Sequence, residues 1–234
     1  MAAARPSRAW RVFLALVLRD LRVELRSREV LYTASLFAIV LVTLFIFAGF
    51  GSLQGRREAA PGVLWVSITF VGSLVHSRTF QREHEDRAIE SLMMVPGISG
   101  PLYAAKVIVN LLLLGAMELL LLPAISLTFE GGFGRQPMLF GLVVASGTLG
   151  FVALGTVVSA ALATVRMQEV LLPLVLFPLA LPLLVAGVRA SASVADGASF
   201  AAVQGWIALM LAFDIAFVAI GRWLFGEAID GDTR

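Results

Sequence analysis

The sequence predicts an all-α polytopic membrane protein: a single transmembrane domain over residues 1–234, with six transmembrane helices behind an N-terminal amphipathic interfacial helix. Three observations carry that expectation. Hydrophobic residues make up 59% of the chain and charged residues 15%, whereas soluble domains run at about 45–50% and about 25%, and a chain of this length cannot bury the excess in one aqueous core. The apolar residues are gathered into stretches close to the roughly 20 residues that cross a bilayer as a helix. Those stretches are apolar on every face and rich in Leu, Ala and Val, unlike the alternating segments of about ten residues in a barrel, so the backbone groups must be satisfied within helices.

Residues 8–28 form the interfacial helix. Trp10, Leu14, Val17, Leu21 and Leu25 recur at steps of three or four, while Arg11, Arg19, Arg22, Arg26 and Arg28 point elsewhere, the pattern of a helix lying in the membrane surface. Trp10, Arg19, Arg22 and Arg26 are its expected anchors, the arginines each gaining about 1 kcal/mol beside anionic lipid. The alternative is an uncleaved signal peptide, but the apolar run Val12–Leu18 is short and Arg19–Asp20 stands where a small-residue cleavage site belongs. Asp20, Glu24 and Arg28 are spaced for pairing along the helix.

The bundle occupies residues 30–225. Val30 to Gly55, Ala59 to Ser77, Gln136 to Val165 and Val170 to Val188 hold no charge, Val107 to Phe129 holds only Glu118, and Gly197 to Gly221 only Asp214. An acid inside a span costs at least about 2.5 kcal/mol, so it faces protein or water and finds a partner. Glu118, Asp214 and Asn110 are therefore the intramembrane polar candidates. Either they line a pathway or hold helices in register, or Glu118 is simply protonated or pairs with Asn110 or Thr148 and Asp214 sits near Gln204 or Arg222 with no transport role. Pro173, Pro178 and Pro182 predict a kinked or interrupted fifth span and are the hinge candidates. Small residues crowd the fourth span, where Gly147 and Gly155 predict close helix approach.

Orientation follows from the cations, because cytoplasmic loops hold the excess of Lys and Arg. With the N-terminus inside, fourteen of the eighteen fall on the cytoplasmic side and only Arg56, Arg57, Arg135 and Arg189 outside. Both termini are expected in the cytoplasm, with residues 226–234 as a tail. Between spans two and three, residues 82–95 predict a short cytoplasmic helix with Arg82, Glu83, Asp86, Arg87 and Glu90 on a charged face and Ile89, Leu92 and Met93 on an apolar patch, ended by Pro96–Gly97. Such a helix is either a handle for a soluble partner or a solvated face.

Several chemistries are excluded. Without cysteine there is no disulfide, thiolate metal site or thiol nucleophile. No G-x-x-x-x-G-K-[ST] loop precedes Lys106, the single lysine, so nucleotide is not bound by that route. Gly97–Ile98–Ser99–Gly100 imitates a membrane serine protease, but the two histidines, His76 and His84, lie upstream with none in a later span, and a nucleophile needs a base within reach. His84–Glu85 lacks the second histidine of H-E-x-x-H, Ala88 standing in its place. No catalytic residue, metal site or nucleic-acid partner is therefore expected. His76 and His84 are weighed as axial haem ligands against the commoner hydrogen-bonded histidine.

One set of residues, taken in order, carries a resemblance. It comprises Leu18 to Arg26, Pro61–Gly62–Val63–Leu64–Trp65–Val66, Arg78–Thr79–Phe80 before the acidic loop, Leu92–Met93–Met94–Val95–Pro96, Ala105–Lys106, Thr148–Leu149–Gly150–Phe151, and Leu171 to Val185 with Phe177–Pro178 and Leu181–Pro182. From about Trp10 to Trp223 this order resembles the cytochrome c maturation protein B (CcmB) family, the permease subunit of a haem-exporter ABC complex. The resemblance implies a six-helix fold like that of ABC-2-type exporters in the bacterial inner membrane. It implies two copies of the chain working with two ATPase subunits (CcmA) and the CcmC and CcmD membrane proteins. ATP hydrolysis on the partner would release the haem-loaded chaperone CcmE, with haem as the candidate substrate and no cofactor resident in this chain. Residues 82–95 would then be the coupling helix that docks on the ATPase. The alternatives are an ABC-2 permease for a lipid or other small molecule and a non-transporting assembly scaffold.

Overall fold

The computed structural model describes residues 8–48, 52–79, 99–163, 165 and 167–230. These form seven α-helices: α1 (Arg8–Ser27), α2 (Glu29–Phe47), α3 (Leu53–Thr79), α4 (Ser99–Phe129), α5 (Pro137–Ala161), α6 (Gln168–Ala195) and α7 (Phe200–Asp230), with a 3-10 turn at Phe133–Arg135 before α5. Six of them, α2 to α7, are long and apolar enough to cross a membrane. The proposed coupling residues Arg82, Glu83, Asp86, Arg87, Glu90, Leu92 and Met93, with His84, lie outside the described residues.

The chain passes from the surface helix into the first span at one residue. Arg28 takes a left-handed backbone (φ 53°) while its N–H closes on the Glu24 carbonyl at 2.8 Å, which turns the path sharply between α1 and α2. The apolar stretch expected from Val30 to Gly55 is divided. Span one ends at Phe47, and α3 begins at Leu53 with the Ser52 hydroxyl accepting from the Gly55 N–H at 3.0 Å, a side-chain cap of the kind serine favours. Arg56 and Arg57 thus lie in the opening turns of α3.

Span three also starts earlier than its apolar run. Lys106 belongs to the body of α4 and is 4% exposed, because an acid from α1 meets it there. Span five runs unbroken from Gln168 to Ala195 across Pro173, Pro178 and Pro182; no interruption of this helix is found. Packing of α3, α5 and α7 along it supports the backbone where proline removes a donor. At the chain's end α7 continues to Asp230, so the start of the expected tail is helical.

The core sits around α3 and α5. α3 packs against α2, α4, α5 and α6, and α5 against α3, α4, α6 and α7. α1 lies mainly on α4 and only lightly on α2, its own neighbour in sequence. One end of the bundle gathers Val30, Val75 and Val109 into a cluster and brings Tyr103 against Phe225. The opposite end carries the Arg57–Glu130 ion pair at 3.8 Å and the Phe133–Phe140 stack.

Candidate functional site

α3 leads directly into the charged segment and is fixed to the bundle at two levels. At its middle, the fully buried Trp65 donates its indole N–H to the Ser191 hydroxyl of α6 at 3.0 Å. Its ring fills the gap that two glycines leave: a Cβ on Gly147 would fall 2.0 Å from the ring, and one on Gly187 2.4 Å. One aromatic side chain thereby joins α3, α5 and α6. Near its end, His76 is completely buried, with Nδ1 2.7 Å from the Gly72 carbonyl and Nε2 3.3 Å from the Val152 carbonyl. The ring lies in the slot over Gly155, where a Cβ would approach it to 2.5 Å. Ser159 donates to the His76 carbonyl at 3.0 Å and Phe151 meets the ring edge-on at 5.8 Å. A carbonyl thus faces each ring nitrogen, and the one that carries the proton donates to its carbonyl. The closeness expected at Gly147 and Gly155 is real, and in both cases it admits an aromatic ring of α3.

Three polar residues of α4 turn towards its neighbours. Lys106, Asn110 and Glu118 are separated by multiples of four, each step drifting by about 40° round the helix, and each finds a partner. Lys106 donates to Asp20 Oδ2 of α1 at 2.8 Å, and Arg19 holds Oδ1 of the same carboxylate at 2.7 Å. Asp20 therefore looks across to α4 rather than along α1 as its spacing suggests. Asn110 donates to Thr156 Oγ1 at 3.2 Å, and Glu118 accepts a hydrogen bond from Thr148. Of the two partners expected for Glu118, Thr148 is the one the structure shows. Leu114 and Phe151 close over Gly72 between these levels, leaving an apolar layer between the polar contacts.

Asp214 departs from expectation. It is 3% exposed, and neither carboxyl oxygen has a hydrogen-bond partner among the described residues. Rather than meeting Gln204 or Arg222, it lies where a Cβ on Gly150 would come within 2.3 Å of Oδ1, beside Leu183. The glycine opens the space, and the neighbouring apolar side chains offer nothing to donate.

The proline helix α6 flanks the open side of α3. Phe70 stands between Phe37 of α2, at 6.3 Å, and Phe177 of α6, at 5.0 Å. Towards the α1 end of the bundle a cavity of about 300 Å³ opens between the three helices, lined by Glu29, Thr33, Ser73, Ser77, Glu169 and Pro173. Pro173 faces this cavity, whereas Pro178 and Pro182 are exposed on the outside of α6. Among the described residues no group of three or more His, Asp or Glu side chains is placed to hold a metal ion. The arrangement sets a core helix held at two levels beside a continuous helix that contains three prolines.

A family model described as "CcmB protein" matches residues 11–231. The chain belongs to the CcmB family. Among its relatives, the Heme exporter protein B of Paracoccus denitrificans is 28% identical over 221 residues, covering 94% of this chain and 99% of that protein. The Heme exporter protein B of Bradyrhizobium diazoefficiens is 26% identical over 183 residues (78% and 82%), and that of Pseudomonas aeruginosa 27% over 194 residues (83% of each). The CcmB match and six apolar helices make this a multi-pass membrane protein, and the segments that carried the resemblance include Trp65, Lys106 and Thr148, all of which join helices in the bundle.

The Asp20–Lys106 and Trp65–Ser191 pairs were not foreseen as units. Each had a faint signal: a single lysine in a chain of arginines, and glycines at 147 and 187 with no evident loop or turn role.

Proposed function

We propose that this chain is the membrane permease subunit of an ATP-driven exporter serving cytochrome c maturation, converting nucleotide-driven movement of a partner ATPase into movement of its own spans. The supporting observation is the position of α3. It packs against four other spans, ends at Thr79, and is separated from the start of α4 at Ser99 only by residues 80–98. Any force on the charged segment 82–95 is delivered to the core helix held at two levels on one side and to α4 on the other. Bending would fall on α6, where each proline removes a backbone donor and clashes with the carbonyl one turn back.

The relatives' name, Heme exporter protein B, supports haem as the exported or released group, and the family supports two copies of the chain with a CcmA-like ATPase and CcmC-like and CcmD-like membrane partners, acting indirectly on a CcmE-like chaperone. The cation bias supports an inner-membrane orientation with both termini in the cytoplasm; the end of the bundle bearing α1 and Lys106 would then face the ATPase. Replacing Glu83 and Glu90 together by Lys tests the coupling. The expected result is an inserted protein whose partner still hydrolyses ATP while holo-cytochrome c is lost; unchanged holo-cytochrome would remove segment 82–95 as the dock.

A further inference from the structure

The surface helix α1 sorts its side chains into three sectors. At 3.6 residues per turn, Val12, Phe13, Leu16, Val17, Asp20 and Glu24 occupy one side, turned towards α4, and with Leu21 at its border these are the helix's buried and half-buried residues. Trp10, Leu14, Leu18 and Leu25 follow around the circumference and are exposed by 39% to 54%. Arg11, Arg22 and Arg26 come next, also exposed, and none of the three has an ion pair or hydrogen bond among the described residues. Arg19 borders them and is held to Asp20. The helix's two acids, Asp20 and Glu24, both lie on the inward side, so the outward surface is a strip of apolar side chains edged only by cations.

We infer that this strip is a binding surface for anionic phospholipid, the acyl chains lying against Trp10, Leu14, Leu18 and Leu25 and the headgroup phosphates engaging Arg11, Arg22 and Arg26. Charge complementarity selects the occupant: a guanidinium offers paired N–H donors to phosphate oxygens, and no carboxylate stands in the sector to favour a cationic partner. The part-buried Asp20–Lys106 contact at 2.8 Å fixes the helix's rotation, which keeps the acids inward and the arginines outward. That contact also ties the lipid-bearing helix to α4, the span that emerges from the charged segment. The inference requires only that the chain is membrane-embedded, and it stands or falls separately from the proposed transport role.

The chain has no cysteine, so Leu18→Cys supplies a single thiol for a bimane label. The labelled full-length protein is reconstituted in phosphatidylcholine bilayers containing, at equal mole fraction, brominated phosphatidylglycerol or brominated phosphatidylcholine as quencher. Phosphatidylglycerol is expected to quench more strongly, with the preference falling about fivefold per arginine replaced by Gln at positions 11, 22 and 26 and weakening in high salt. As a control, Arg56, Arg57 and Arg135, at the other end of the bundle, are replaced together by Gln, and the preference should persist. Equal quenching by the two lipids in the unsubstituted protein would overturn the inference, as would a preference lost equally in the control variant. Absence of quenching by either lipid would also overturn it, placing the strip against protein or water instead.

Discussion

Replacing Gly147 by Ala is the sharpest test of how α3 is held. The new Cβ would lie 2.0 Å from Cη2 of Trp65 and 2.7 Å from Cζ3, against a normal carbon contact of about 3.5–4.0 Å. The indole must retreat by roughly 1.5 Å on that measure. Retreat is opposed by Gly187, whose own missing Cβ would sit 2.4 Å from the ring, and by the 3.0 Å bond to Ser191. Overpacking of this kind costs about 1–3 kcal/mol, and losing the hydrogen bond adds about 1 kcal/mol. At about 2–4 °C per kcal/mol for a chain of this size, a cost of about 3 kcal/mol lowers Tm by roughly 6–12 °C. Far-UV circular dichroism of the detergent-solubilised protein reads this directly. The companion variant Trp65→Phe removes the outer ring that meets Gly147, so adding Gly147→Ala to it should cost under about 1 kcal/mol, a coupling of about 2 kcal/mol between the sites. A Gly147→Ala loss below about 2 °C, or an equal loss in the Trp65→Phe background, would refute the three-helix bolt.

Other outcomes follow from the same contacts. Lys106→Met leaves the Asp20 carboxylate with Arg19 alone and removes its tie to α4, a loss of about 1.5–3 kcal/mol for a hydrogen bond to a charged group; limited trypsin digestion should then cut α1 at its arginines, and the double variant Asp20→Leu/Lys106→Met should restore part of the protection. Asp214→Asn keeps the shape of a side chain whose oxygens have no partner among the described residues and should raise Tm or leave it unchanged; a gain in stability accompanied by loss of holo-cytochrome c would mark Asp214 as working in a second conformation, in keeping with the stability that functional sites give up. Thr148→Val removes the donor to Glu118 and is expected to cost about 0.5–2 kcal/mol, measured by the same thermal melts. Pro178→Ala restores a helix donor in α6 and should stiffen it, lowering holo-cytochrome c several-fold with no loss of folded protein; wild-type levels would remove Pro178 as a hinge.

The parts of this fold visible in the sequence were those that lipid enforces. Apolar runs of sufficient length must become helices, so all six spans were placed, and the arginine pattern of residues 8–28 identified α1 because periodicity and exposure coincide there. Helix ends were harder. Gly55 is uncharged, so the first run appeared to extend to it, yet Ser52 caps a new helix that takes Arg56 and Arg57 into α3. Lys106 looked like a loop cation because a charge usually bounds a span; its partner, Asp20, lies 86 positions away, a separation no local pattern reveals. Glu118 meeting Thr148 was within reach because both are polar residues in apolar spans and one of few matches. Asp214 was not, since proximity along one helix suggested Gln204 and Arg222, whereas packing turned it towards a glycine on another. The proline run left a kink or an interruption open; the helix is continuous, because neighbouring helices support the backbone that a lone helix in water would lose.

The central claim, that this chain serves cytochrome c maturation, is tested most directly by covalent-haem staining of c-type cytochromes in cells deleted for it, with and without the wild-type chain returned. Loss of stained cytochromes on deletion and their recovery on return is the predicted result. Undiminished cytochromes in deleted cells that hold no second copy of the gene would contradict it.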